Sequence, residues 1–345
     1  MAFWQGANSS MTTMKALPVV VTFAYETISK ERTEYIVWIF EYFFIPGVSY
    51  LGIVGNIITI VVILRLGVKK SSNILLISLA VADFFYLLGT SKIMDLIEQS
   101  TGGMYRPNSY LAGYAMFVLT MMFRFVSSGL FVSLMLPALI TTERLIAIFL
   151  PLKFQLIVTR RRAWITVFSV YVLSMAYAGF YLSLFDYALT VGQNNTLEGS
   201  DAPTDFFFSH REIYFGVNAA MNKITGPIPL FYVLAGCVVI GVKVQVASRF
   251  RKTTSRSGKA SGGRRTTRTL LSVCVVYTLT SGFSFLNYEL SNNQVDKKTN
   301  LELVLMEVEA FLLCVNSACN YLIYVASNPN FRILTCGRCG VVLKK

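Results

Sequence analysis

Asp83 is the residue whose setting is hardest to explain without a task. It stands in Leu79-Ala80-Val81-Ala82-Asp83, inside an apolar run, with no basic residue within a helical turn. A carboxylate at such a depth is costly and marks a functional position by default. One reading is a protonated, hydrogen-bonded structural carboxyl. The other is a cation site completed by Asn56, Ser133, Asn316, Ser317 and Asn320, all set within other apolar runs. Hard cations such as sodium favour oxygen donors of this kind. A second pair, Glu143-Arg144, lies at the end of its run, where an acid and a base are also common as a solvated pair. Six further charges, Asp95, Glu98, Arg124, Lys223, Glu307 and Glu309, fall near the opposite ends of the runs. They could line a cavity of mixed charge, or each could extend its head to water.

Other chemistries are weakly supported. The chain has one histidine, His210, and six cysteines, four of them inside apolar runs. Cys336-Gly-Arg-Cys339 has a C-x-x-C form, but no second ligand pair accompanies it, which argues against zinc or redox work.

The elements that position these residues follow from composition. Of 345 residues 54% are hydrophobic and 14% charged, and mean hydropathy is +0.56. A soluble surface usually needs about 25% charged residues. Seven blocks approach or exceed bilayer length: Phe43–Leu64, Ile74–Ser91, Tyr110–Thr142, Ala163–Phe185, Ile213–Val242, Thr269–Tyr288 and Ala310–Asn330. A spanning helix needs about 20 mostly apolar residues. The expected fold is an all-α membrane protein, a bundle of seven transmembrane helices. Residues 1–42 would be an N-terminal segment, 43–327 the bundle, and 328–345 a tail with a short amphipathic eighth helix.

The net charge of +13 does not point to nucleic acid, because eight of the 31 basic residues lie between Arg249 and Arg268, flanked by apolar blocks. Connections on one side of the bundle hold more than three times as many Lys and Arg as those on the other. The basic side is cytoplasmic, so the N-terminus is expected outside, with the basic loops near anionic lipid. Two Asn-x-Ser/Thr triplets, at Asn8 and Asn194, fall on the outer side and are candidate glycosylation sites. The stretch Ala16–Tyr25 is too weak for a cleaved signal peptide, so the first spanning helix is expected to direct insertion. No internal repeat of the transporter kind is visible.

The motifs, taken in order, resemble those of the rhodopsin-like G-protein-coupled receptors over nearly the whole chain. Gly55-Asn56 resembles the helix-one signature, and Leu79–Asp83 that of helix two. Glu143-Arg144-Leu145, followed by Pro151-Leu152, resembles the D/E-R-Y region. Trp164 matches the helix-four tryptophan, and Pro227 or Pro229 the helix-five proline. Asn316-Ser317-Ala318-Cys319-Asn320-Tyr321-Leu322-Ile323-Tyr324 resembles NSxxNPxxY, and Asn330-Phe331-Arg332 the start of helix eight. The resemblance implies a sodium pocket at Asp83, Ser133, Asn316, Ser317 and Asn320. It implies that Arg144 pairs with Glu143 and then meets the G protein. It places Tyr277, Asn320 and Tyr324 among the switch residues, with Tyr324 swinging inward on activation. Cys336 and Cys339 become candidate palmitoylation sites.

Several positions depart from the family pattern. Tyr321 replaces the proline of NPxxY, and Leu145 the tyrosine after the arginine. Tyr277-Thr278-Leu279-Thr280-Ser281-Gly282-Phe283 lacks the helix-six tryptophan and proline. No cysteine lies where the usual extracellular disulfide would form, and Pro137 is unusual within helix three. The departures resemble divergent invertebrate receptors of the FMRFamide-peptide and chemosensory kinds.

The expected function is therefore a plasma-membrane, multi-pass receptor that is not an enzyme. It would bind an extracellular neuropeptide or chemosensory molecule and activate a heterotrimeric G protein, with no cofactor beyond a sodium ion as modulator. The ligand-facing candidates are Arg124, Val126, Asp95, Glu98, Lys223 and Glu307. Val126 stands where amine receptors carry an aspartate, which argues against a biogenic amine, and Arg124 favours an anionic group. Helix seven has no lysine for retinal. A seven-helix ion or proton transporter or channel is the alternative.

Overall fold

The computed structural model of the chain describes residues 28–91, 110–191, 197–253, 261–292 and 299–327; for 110–124, 186–201, 247–253, 261–270, 291–292 and 327 it describes the backbone alone. The first helix, α1, runs over Lys30–Leu66. It starts well before the apolar block, because Ser29 caps it by accepting a hydrogen bond from the Arg32 N–H at 3.4 Å. Its turn at Phe40–Phe44 is widened, and the Ile45 N–H reaches back five residues to the Phe40 carbonyl. Pro46 follows directly, and a proline ring that crowds the turn before it accounts for the widening.

Helix α2 spans Ser71–Thr90 and α3 Tyr110–Phe149. A single turn, α4 (Phe154–Ile157), precedes α5 (Arg160–Leu184). Strands β1 (Phe185–Val191) and β2 (Leu197–Pro203) form an antiparallel hairpin, in register from Phe185 opposite Pro203 to Val191 opposite Leu197. A short α6 (Asp205–Ser209) leads into α7 (Arg211–Thr225) and α8 (Pro227–Thr253). These last two form one span broken at Gly226, just before Pro227, whose missing N–H interrupts the helical ladder. Helices α9 (Ser261–Asn292) and α10 (Asn300–Ser327) complete the chain.

Six of the described helical spans are long and apolar enough to cross a membrane. The seventh, α10, has 28 residues and is about 42 Å long at the usual helical rise. Its start is fixed by a reciprocal cap, in which the Thr299 N–H donates to Glu302 at 3.1 Å and the Glu302 N–H to the Thr299 hydroxyl at 3.4 Å. The seven-helix expectation holds, with the hairpin as an addition. The predicted eighth helix, Asn8, Asp95, Glu98, Asn194, Cys336 and Cys339 lie outside the described residues.

The bundle is apolar on the outside and partly polar on the inside. Leu51, Phe168, Val238 and Leu322 are each more than half exposed on its outer wall, as suits side chains that face lipid. Trp164 shares that wall. Inside, α2 and α3 pack around Ile74, Leu79, Ala82, Val132, Leu136 and Ile140. Their close approach depends on Gly129, where a Cβ would lie 2.7 Å from the Ala82 carbonyl oxygen and 2.9 Å from the Tyr86 nitrogen.

At one end of the bundle an aromatic cluster fixes the hairpin. The Phe185 ring lies 4.8 Å from that of Tyr181, 5.0 Å from Phe207 and 5.5 Å from Tyr214. Thr204 closes the base of the hairpin, its N–H donating to the Leu184 carbonyl at 3.0 Å. This end is called the hairpin end below, and the opposite one the Arg144 end.

Candidate functional site

The close packing allowed by Gly129 brings the buried Asp83 of α2 against Ser133, one turn further along α3. The Ser133 hydroxyl donates to Oδ1 of Asp83 at 2.5 Å, and Nδ2 of Asn320 on α10 donates to Oδ2 at 2.7 Å. Asp83 is 0% exposed, so a single carboxylate ties three helices together through short hydrogen bonds of the stronger, charge-assisted class if it is ionised. Asn56 of α1 joins this layer by donating to the Ser317 carbonyl at 3.2 Å, and its own Oδ1 is buried without a hydrogen-bond partner. Pro137 adds one more acceptor. It has no N–H to offer the carbonyl of Ser133 four residues earlier, leaving that oxygen without its usual helical donor.

These groups fit a hard cation: one carboxylate, hydroxyls at Ser133 and Ser317, amide oxygens at Asn56 and Asn320, and the carbonyl of Ser133. Asn316, also predicted for this site, is buried nearby on α10. No cluster of three or more His, Cys, Asp or Glu exists among the described residues, which excludes a zinc-type centre from them.

The departures in α10 have a packing reason. Tyr321 meets α1 at Gly55, where a Cβ would lie 2.8 Å from the Tyr321 Cβ. With tyrosine there, the residue keeps its N–H and α10 runs unbroken to Ser327. Tyr324 is buried against Val62, Ile63 and Val273. Tyr277 of α9 is fully buried beside Val233, Cys237 and Cys274, and Ser281, where the family has tryptophan, is also buried. The Thr141 hydroxyl of α3 lies 3.6 Å from the Cys274 sulfur, linking α3 to α9.

At the Arg144 end, Glu143 is held twice. The Ser71 hydroxyl at the start of α2 donates to its Oε1 at 2.6 Å, and Arg144 pairs with its Oε2 at 3.8 Å. Nε of Arg144 is buried without a hydrogen-bond partner. Helix α9 carries no acid before Glu289, so no carboxylate of that helix can share the arginine at this end. The pair is thus an α2–α3 clasp, which the sequence alone did not reveal, since Ser71 sits 72 residues from Glu143.

At the hairpin end, Glu309 of α10 accepts hydrogen bonds from Ser284 and Asn287 of α9, the second at 2.5 Å. Glu307 is half-buried on α10 and Lys223 exposed on α7. Val126 packs against α2, where a Cβ on Gly89 would lie 1.9 Å from one of its methyls. The backbone of α3 includes Arg124, but its side chain is outside the described residues. The structure therefore does not gather the predicted ligand-facing residues into one described set.

Comparison with known proteins gives two kinds of match. The family described as "7 transmembrane receptor (rhodopsin family)" matches residues 55–324. The chain is 26% identical over 300 residues to the FMRFamide receptor of Drosophila melanogaster, covering 83% of this chain and 51% of that protein. It is 27% identical over 138 residues to galanin receptor 2b of Danio rerio, covering 39% of this chain and 34% of that one. The chain thus spans about half or less of the length of these curated relatives.

Proposed function

The chain belongs to the rhodopsin family of seven-transmembrane receptors, and from that premise we propose that it binds an extracellular peptide at the hairpin end and activates a heterotrimeric G protein at the Arg144 end. Family membership displaces the transporter or channel alternative. Two relatives named as receptors for FMRFamide and galanin favour a peptide over a chemosensory small molecule.

The observation that supports transduction best is the Asp83 junction, in which one buried carboxylate hydrogen-bonds α3 through Ser133 and α10 through Asn320. Both helices reach each end of the bundle. A ligand that binds one arrangement of α3, α9 and α10 better shifts the population toward it. The Asp83 donors must then re-sort, and the Ser71–Glu143–Arg144 clasp opens to free the arginine for the G protein. Coupling between the two ends is expected at about 1–3 kcal/mol. A sodium ion held by Asp83, Ser133, Ser317 and Asn320 would supply a counter-charge that favours the clasped state.

The same reading places the protein in the plasma membrane with the N-terminus outside, which the excess of basic residues in the opposite connections supports. Glycans would sit on Asn8 and Asn194, palmitate on Cys336 and Cys339, and Arg249–Arg268 against G protein and anionic lipid. Expression with a promiscuous Gα subunit, screened against amidated neuropeptides, tests this. A peptide-evoked calcium signal that Arg144→Ala abolishes at equal surface expression is expected. A response to small odorants and to no peptide would overturn the peptide reading.

A further inference from the structure

Three acids lie in the first third of α10, and only one is left without a structural explanation. Glu302 belongs to the helix cap. Glu307 is half-buried with a partner inside the protein. Glu309 faces α9, where Ser284 donates to Oε1 and Asn287 to Oε2. Both donors are neutral, and no described cation pairs with this carboxylate. The next residues on the helix, Ala310 and Phe311, turn away toward α1, with Phe311 packed edge-on against Phe40 at 5.7 Å.

The orientation of Asn287 adds a second observation. Its amide must present nitrogen to Glu309, since its oxygen would face a carboxylate. Its Oδ1 is then left over, and it is buried with no hydrogen-bond partner. An unpaired buried acceptor beside a half-buried carboxylate with no counter-charge among the described residues is a site short of donors and of positive charge. A guanidinium supplies up to five donors and a permanent charge, and a primary ammonium supplies three.

We propose that Glu309, with Asn287 Oδ1 beside it, anchors a cationic, donor-rich group of the ligand, an arginine guanidinium or a primary amine. This rests on the reading of the hairpin end as the ligand-binding end. The ligand's donors replace or share those of Ser284 and Asn287, so binding alters the link between α9 and α10 directly. The anchor also explains how α9 responds to ligand without its usual tryptophan, because the contact is made two turns or less from Ser281 on the same helix.

The test needs no known agonist and no G protein. Purified receptor is titrated with N-acetyl-arginine amide, N-acetyl-lysine amide and the uncharged isostere N-acetyl-citrulline amide, at the millimolar level suited to single-residue fragments. Binding is read by thermal shift and saturation-transfer NMR. Stabilisation by the arginine or lysine amide, but not by citrulline amide, is expected, and the stronger of the two identifies the group. Glu309→Gln should weaken it about tenfold or more, as loss of a charged hydrogen-bond partner does, while the charge-keeping Glu309→Asp retains it. Absence of binding to wild type, equal binding of citrulline amide, or binding unchanged in Glu309→Gln would overturn the proposal. If Glu309→Gln fails to purify as a single species, the citrulline comparison on wild type still decides. Fragment binding without any peptide response in cells would instead count against the peptide-receptor reading and leave this site standing.

Discussion

Phe185→Ala probes what holds the hairpin onto the end of the bundle when the usual disulfide is missing. Phe185 is 7% exposed and packs against three rings, those of Tyr181, Phe207 and Tyr214. Truncating a buried phenylalanine costs about 3–5 kcal/mol, and this includes the extra worth of its aromatic pairs. Because the cluster sits at the end of the bundle, the lower figure applies, about 3 kcal/mol. That corresponds to roughly a hundredfold rise in the open population of the hairpin. Hydrogen exchange read by mass spectrometry over residues 185–191 and 197–203 measures it directly. Those amides should exchange about a hundredfold faster, while α2 and the buried half of α3 stay protected. Exchange indistinguishable from wild type would show that the aromatic cluster is not the fastening.

Glu143→Gln should raise basal signalling at equal surface expression by loosening the clasp, which a charge-assisted bond worth about 1.5–3 kcal/mol helps close; Ser71→Ala should do so more weakly, and inositol phosphate accumulation that matches wild type in both would contradict the clasp. Asp83→Asn should remove the sodium dependence of agonist affinity, an effect of about fivefold if the ion favours one state by about 1 kcal/mol; equal sodium sensitivity in the variant would place the ion elsewhere. Gly129→Ala forces a methyl onto the α2 backbone and should destabilise the purified receptor by about 1–3 kcal/mol, so an unchanged melting temperature would refute the close-approach argument. An epitope tag ahead of Met1 should stain on intact cells, and staining only after permeabilisation would reverse the proposed orientation.

Periodicity was not needed to find most of the spans, since unbroken apolar blocks announce them. Their ends were harder. Helix α1 starts at Lys30 because a cap and a widened turn extend it beyond its apolar stretch, and neither leaves a hydropathy signal. The hairpin was invisible because its second strand, Leu197–Pro203, is polar and small, and it is held by backbone pairing and by an aromatic anchor drawn from separate elements. The Asp83 neighbours were legible as lone polar residues in apolar runs, and Ser133 and Asn320 do meet it. Ser71 and Asn287 were not, because a serine at a helix start and an asparagine near a helix end have ordinary local explanations. Val126, matched by analogy, also fills the space over Gly89, a contact with no sequence signal.

Nucleotide exchange on a purified heterotrimer tests the central claim most directly. Receptor in lipid nanodiscs, mixed with each major Gα class and βγ, should accelerate uptake of a non-hydrolysable GTP analogue. A peptide agonist should increase the rate further, and Arg144→Ala should return it to that of the G protein alone. If no Gα class responds to receptor with bound peptide, or if Arg144→Ala exchanges as fast as wild type, the account of this protein as a peptide-driven exchange catalyst is wrong.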